Sequence, residues 1–314
     1  MRPLRSLLSP LRASRRLSVL VFHRVLPLPD VLVPEEMHAV QFDRVCGWLG
    51  AWFNVLPLDA AVDLLKAGML PARAVCITFD DGYADNYTVA LPILQRHGLT
   101  ATFFIATGFV DSGQMWNDTL IEAVRRTERV SVDLRAMGLG RHGLASLQER
   151  RDAIGSLLAQ VKYAAVDERT AVAQRVATEL GVSPAPDGLM MTSRQLTRLR
   201  KAGMQLGAHT VGHPILAKLD DAAAGKEIRD SKEFLERLLG ESVRLFAYPN
   251  GKPQDDYTVN TTELVRRAGF DAAVSTAWGT SGIESDLLQM RRFTPWDRSR
   301  WRFVARMHQN AWMD

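Results

Sequence analysis

Short apolar runs alternate with longer amphipathic segments along most of the chain. The runs are "RLSVLVF" (16–22), "AVCITF" (74–79), "TATFFIAT" (100–107), "MQLGA" (204–208), "VRLFAY" (243–248), "FDAAVST" (270–276) and "LLQMRRF" (287–293). Several are apolar at consecutive positions instead of every second one, the pattern of strands covered on both faces. Between them the spacing predicts helices near 40–53, 58–67, 88–97, 193–202, 222–239 and 258–268. In "QRHGLTATFF" a helix ends, Gly98 caps it and a strand begins. Strand–helix alternation of this kind makes a parallel sheet, and seven strands are about enough to close a barrel.

Residues 119–190 break the rhythm. They hold no convincing strand, while Ile154, Leu157, Leu158 and Val161 form a helical stripe, and Asp167 and Gly181 bracket a further helix. "GVSPAPDG" (181–188) reads as a linker back into the barrel. The expected architecture is an α/β barrel over 17–314, with its core at 73–295 and a helical insertion at about 119–190 packed over one rim.

A chain of 314 residues with 46% hydrophobic and 24% charged content carries ample material for a core. Cys46 and Cys76 fall in a helix and a buried strand, and are expected as free buried thiols. The net charge of +4 is concentrated at the chain ends. Arg2, Arg5, Arg12, Arg15, Arg16 and Arg24 all precede the first acid, Asp30. Leu4, Leu7, Leu8 and Leu11 share one helical face in this basic arm (1–16), a pattern suited to an anionic membrane surface, to a solvated arm or to packing on the body, with Pro3 and Pro10 limiting any helix there. The arm lacks a bilayer-spanning run and the apolar core and cleavage site of a signal peptide. The expected location is therefore the cytoplasm or the inner membrane face. Basic residues are not interleaved with aromatics as in a nucleic-acid surface, so no nucleic-acid partner is expected.

Parallel α/β proteins build their sites at the C-terminal ends of strands. Those ends carry His23, then Asp80 and Asp81, then Thr107 with Trp116 beyond it, then "AHTVGHP" with His209 and His213, then "YPNG" (248–251). The last strand contains Arg291 and Arg292. Two adjacent carboxylates repel each other unless a cation separates them. Two histidines and one carboxylate suit Zn²⁺ or another divalent ion with positions left open. One aspartate would then bind metal and the other act as base. A helix cap needs only one of the two.

"TFDDGY" (78–83), "HTVGHP" (209–214) and "FAYPNG" (246–251), in that order, resemble the polysaccharide deacetylases, the NodB-homology proteins of carbohydrate esterase family 4. The resemblance runs from about 18 to about 295 and is weakest in the insertion. It implies a distorted (β/α)7 barrel and metal-dependent removal of N- or O-acetyl groups from sugars. By motif, Asp80 resembles the catalytic base, and Asp81, His209 and His213 the ligands of a divalent metal. Zinc stands first, with cobalt, nickel or iron as alternatives. Such a metal polarises the amide carbonyl and acidifies water, Asp80 takes the water's proton, the backbone N–H of Asn250 helps hold the oxyanion, and Tyr248 is expected beside the oxyanion or the substrate.

The chain departs from the family pattern twice. The L-x-H histidine that often serves as general acid is absent from "LLQMRRFTP", and Ala247 stands where an arginine is common. "VFHRV" (21–25) resembles the start of a rearranged branch in which His23 reaches the cavity and supplies the acid. Arg292, or Arg291 if the register shifts, is expected to orient Asp80. Trp116 is expected either to stack on a sugar or to anchor the insertion, and Asp118 to cap a helix or bind metal. The reading is an N-deacetylase of amino sugars in a glycan or glycolipid intermediate, with the acetylated glycan as partner and anionic membrane as a peripheral contact. Its rivals are a hydrolase of cyclic amides or imides on the same barrel and a non-catalytic glycan-binding protein.

Overall fold

A computed structural model describes residues 16–111, 113–183 and 188–312. Residues 1–15 of the basic arm, with its leucine stripe, and the centre of the 181–188 linker lie outside the described residues.

Strand β1 (Leu17–Phe22) is followed by helix α1 (Ala39–Trp52), the short β2 (Asn54–Val55), α2 (Leu58–Lys66) and β3 (Ala74–Phe79). A π-helical turn (Asn86–Ala90) leads into α3 (Leu91–Arg96) and then β4 (Thr102–Ile105). The insertion then holds α4 (Trp116–Arg126), α5 (Leu147–Val161) and α6 (Val166–Glu179), and the chain returns from it through α7 (Ser193–Lys201). It continues with β7 (Gln205–Ala208), α8 (Asp221–Leu239), β8 (Leu245–Ala247), α9 (Val259–Arg267), β9 (Ala272–Val274) and α10 (Arg300–Trp312). The strands pair in the order β1-β3-β4-β7-β8-β9, all parallel, with β2 sharing an edge of β3 with β4.

The expected barrel is present, and its last stave is made differently from the expected strand at 287–293. Leu287–Gln289 is a 3₁₀ turn. Met290 then donates to the Ala273 carbonyl (2.9 Å) and accepts from Ser275 N–H (2.8 Å), whereas Phe293 donates to Val19 (2.8 Å) and accepts from Val21 (3.0 Å). The segment changes partner from β9 to β1 in three residues. Between these two contacts, Arg291 and Arg292 N–H bond to Ser281 Oγ and the Ala277 carbonyl, so no continuous ladder forms. The closure still joins the two edges.

Alternation along β3 sorts the core. Val75, Ile77 and Phe79 pack with Phe42, Val45 and Leu49 of α1, while Cys76 packs with Ala61, Val62 and Leu65 of α2. Thr78 and Asp80 lie on the Cys76 side of the pleat, facing into the barrel. Both cysteines are buried and free. Helix α10, which no sequence pattern announced, sets Phe303 against Trp48 and Phe53.

The insertion has its own core. It contains α4 (Trp116–Arg126), α5 (Leu147–Val161) and α6 (Val166–Glu179), and also an antiparallel pair, β5 (Ser131–Asp133) with β6 (Arg141–Gly143). The expectation of no strand here is corrected. Each strand has three residues and neither shows an apolar run, so burial pattern could not reveal them. Leu120, Val124, Val132, Ile154, Leu157 and Val176 cluster together, and Leu32 from the β1–α1 loop joins them. The predicted stripe at 154–161 is thus the buried face of α5, and the rim segment is held by packing against a barrel loop. Ser146 and Glu149 form a capping box at the start of α5.

Candidate active site

A cavity of about 340 Å³ opens at the C-terminal strand ends, lined by His23, Asp80, Asp81, His209, His213 and Asn250. Trp116, Lys162 and Arg169 of the insertion, and Thr276 after β9, complete it. A larger cavity of about 930 Å³, lined by Tyr257, Asp286 and Arg291 among others, contains none of the predicted aspartates or histidines.

β3 ends at Phe79, and the next two residues diverge. Asp80 continues the pleat, with its N–H on the Phe22 carbonyl (2.9 Å). Asp81 then turns at φ 74°, a left-handed conformation that redirects its side chain away from that of Asp80. Gly82 follows at φ 95°, and a Cβ there would meet Ile105 at 3.3 Å. His213 (φ 52°) and Asn250 (φ 58°) share the left-handed region. Such non-glycine conformations persist where the surrounding structure holds them, and here three gather at one cavity.

Asp80 is 3% exposed and gripped by Arg292, which is 1% exposed. Arg292 Nη1 and Nη2 each lie 2.7 Å from one Asp80 oxygen, and its Nε donates to the Ser275 carbonyl at 2.8 Å. Burial pushes the Asp80 carboxyl up, but Arg292 and His209 outweigh it and hold the group below its usual range. Of the two arginines left open by register, Arg292 points inward and Arg291 lines the other cavity.

The imidazole Nε2 atoms of His209 and His213 lie 3.6 and 3.4 Å from Asp81 Oδ1. One donor atom from each of these three residues falls within 4.8 Å of the other two. His209 Nδ1 is 2.7 Å from the Ala247 carbonyl. A carbonyl only accepts, so Nδ1 carries a proton and donates it there, which aims Nε2 at Asp81, the usual support for a metal-binding histidine. Burial lowers the His209 pKa, but the carboxylates of Asp81 and Asp80 outweigh it and raise it. Burial pushes His213 down to about 4, so it is neutral at ordinary pH. Burial pushes Asp81 up, but His209 beside it and the charge that His213 gains at low pH outweigh this and hold it well below the usual carboxylate range. Its buried Oδ1 has no hydrogen-bond partner. A buried carboxylate oxygen converging with two imidazole nitrogens fits a divalent cation. The "HTVGHP" loop is held from behind by Glu227 of α8, whose Oε2 accepts the N–H groups of Val211 and Gly212, both at 2.8 Å.

Asn250 reaches the cavity, while its carbonyl takes the Thr276 hydroxyl (2.8 Å) and its Nδ2 is buried without a partner. Tyr248 does not reach it, which corrects its expected place beside the substrate. Its ring is fully buried and stacked on Tyr257 at 3.9 Å, and its hydroxyl donates to the Leu288 carbonyl. Trp116 both borders the cavity and packs on the insertion core. Asp118 is neither cap nor cluster member. It accepts the Tyr83 hydroxyl on both oxygens at 3.2 Å, and burial raises it to about 7. Sequence reading missed Arg169, Lys162 and Glu227. Arg169 and Glu227 lie among other charges on helices and Lys162 just after one, all outside any motif, and nothing marked them.

A sequence model of the polysaccharide deacetylases matches residues 67–273. The chain belongs to the polysaccharide deacetylase family. It is a hydrolase of that class, and its parallel barrel is the family's distorted one. A Bacillus subtilis relative, YxkH, named as a polysaccharide deacetylase, is 19% identical over 88% of this chain and 70% of its own. Staphylococcus aureus poly-beta-1,6-N-acetyl-D-glucosamine N-deacetylase is 31% identical over 35% of this chain and 38% of its own. Among solved structures, the Streptococcus pyogenes deacetylase PplD superposes with a TM-score of 0.60 at 20% identity, covering 89% of this chain and 92% of that one. IcaB from Ammonifex degensii does so at 0.60 and 19%, covering 94% and 97%. Among the described residues of this family member, no helix is long and apolar enough to cross a membrane.

Proposed function

We propose that this deacetylase removes N-acetyl groups from amino sugars of a glycan or glycolipid intermediate, with a divalent cation held by Asp81, His209 and His213. The observation that carries the reading is the pairing, in one cavity, of that three-residue cluster with a buried carboxylate fixed by Arg292. The Staphylococcus relative's substrate, an N-acetylated amino sugar polymer, supports the choice of N-acetyl over other acyl groups.

The cation would supply Lewis acidity at the amide carbonyl and at the attacking water. Asp80 takes the water's proton. Each of its oxygens spends one lone pair on Arg292 and keeps another for the water. Arg292 keeps Asp80 ionised and fixes its orientation. The Asn250 N–H donates to the developing oxyanion. His23 lines the same cavity and delivers a proton to the leaving amine, in place of the absent L-x-H histidine. Trp116 offers a ring face to the sugar.

The test is acetate release from N-acetylglucosamine oligomers by metal-stripped protein, with and without added Zn²⁺ or Co²⁺, run beside His23→Ala. Restoration by metal and its loss in His23→Ala is the expected result. No acetate with any metal, on a sample that still binds the oligomers, sinks the reading in favour of a glycan binder. Turnover of cyclic imides instead sinks it in favour of the other hydrolase.

A further inference from the structure

Helix α6 buries an arginine that the reaction above does not use. Arg169 is 2% exposed and borders the active-site cavity. Its Nη2 donates to the His213 carbonyl at 3.3 Å, and its guanidinium lies 5.6 Å from the centre of the Trp116 ring. Its buried Nε has no hydrogen-bond partner. Among the described residues no carboxylate pairs with it: in the same cavity, Asp80 is taken by Arg292 and Asp81 faces the two histidines.

A guanidinium cannot shed its proton to escape burial, and a buried cation without a counter-ion is costly. That cost is tolerable if the counter-ion arrives with the substrate. The planar donor fork of arginine suits carboxylate and phosphate oxygens, and the Trp116 ring 5.6 Å away adds a flat face beside it. Lys162, which follows α5, contributes a second positive side chain to the same wall. Both cations come from the insertion and neither from the barrel. The barrel therefore carries the chemistry, and the added segment carries a charge preference.

We propose that Arg169, with Lys162, forms an oxyanion-binding subsite that selects acetylated sugars bearing a carboxylate or phosphate group. The proposal rests on the deacetylase reading for the acetylated sugar, but not for the anion. The competing account makes Arg169 a strut that ties α6 to the His213 loop.

Three probes separate these accounts: a neutral N-acetylglucosamine tetramer, a tetrasaccharide alternating glucuronate with N-acetylglucosamine, and N-acetylglucosamine 1-phosphate. Binding to the full chain is measured by calorimetry, and acetate release is measured in parallel. Wild type is expected to favour at least one anionic probe by about 10-fold or more, with the preference shrinking as salt rises. Which anionic probe wins identifies carboxylate or phosphate. Arg169→Gln is expected to remove the preference, and Arg169→Lys to keep part of it. Equal binding of all three probes by wild type overturns the proposal. So does Arg169→Gln lowering all three alike, which is the signature of the strut. If Arg169→Gln does not fold, the wild-type preference, its salt dependence and Arg169→Lys decide. An anionic preference without acetate release from any probe keeps the subsite and removes the deacetylase reading.

Discussion

Arg292 and Asp80 meet tooth to tooth, each guanidinium Nη 2.7 Å from one carboxylate oxygen, at a point where both side chains are almost wholly excluded from water. The pair is joined across the barrel closure, one partner from the end of β3 and the other from the segment that links β9 to β1. Removing one partner strands the other as a buried charge, which costs ~3–5 kcal/mol. Arg292→Met is therefore expected to lower unfolding free energy by about that amount in denaturant titration. Arg292→Lys keeps the charge but loses the fork, so it should recover much of the stability and little of the acetate release. Equal activity of the lysine variant and wild type would remove the orienting role assigned to Arg292.

The cluster of Asp81, His209 and His213 predicts one divalent ion per chain. Asp81→Asn is the cleanest probe. Asparagine tolerates the φ of 74° better than alanine does, so backbone strain is not confounded with ligand loss. Zinc affinity by competitive chelation should fall by more than the ~10–100-fold typical of losing an outer partner. Zinc at about 100 times its Kd should add ~2.7 kcal/mol to wild-type stability, and much less to the variant. An unchanged thermal shift in Asp81→Asn would show that zinc binds elsewhere.

Glu227 tests support from behind the ligands. Its carboxylate closes the Val211–Gly212 turn between the two histidines without lining the cavity. Glu227→Ala leaves two N–H groups without that partner, at ~1–3 kcal/mol. Zinc affinity should also fall ~10–100-fold, as for other outer-shell losses. Glu227→Gln retains an acceptor and should fall between. A stability loss with zinc affinity intact would make Glu227 a purely structural brace.

The contrast between Asp81 and Glu227 shows what sequence makes legible. Asp80, Asp81, His209 and His213 lie within two short stretches at strand ends, so chain-local spacing already brings them together. The strand "AVCITF" was readable because it is buried on both faces and must be apolar throughout. The barrel closure was not readable in detail, because Met290 and Phe293 serve different neighbours and leave no continuous strand pattern. Tyr248 looked like a site residue because its neighbours in sequence are, but its ring found a better partner in Tyr257. Arg169 and Glu227 act only through tertiary packing. One charge among several on an amphipathic helix looks like any solvated one until its neighbours are placed.

Asp118 predicts a pH dependence of stability with a definite sign. It is 3% exposed, and burial raises its pKa from 3.8 to about 7 despite the nearby Arg24. The folded state therefore holds this proton more tightly than the unfolded chain does. The resulting stabilisation is full below pH 3.8 and is lost as pH rises through about 7. Its size is on the order of 4 kcal/mol, at ~1.4 kcal/mol for each pH unit between the unfolded and folded values. Asp118→Asn is neutral at every pH and keeps an oxygen for the Tyr83 hydroxyl, so it is exempt from the loss. Thermal unfolding of the two proteins should show the variant gaining on wild type between pH 5 and pH 8, with most of the gain complete by the upper end. A difference that stays constant across that range would mean Asp118 is already ionised in the folded protein, with Arg24 and the Tyr83 hydroxyl sufficient to hold its charge.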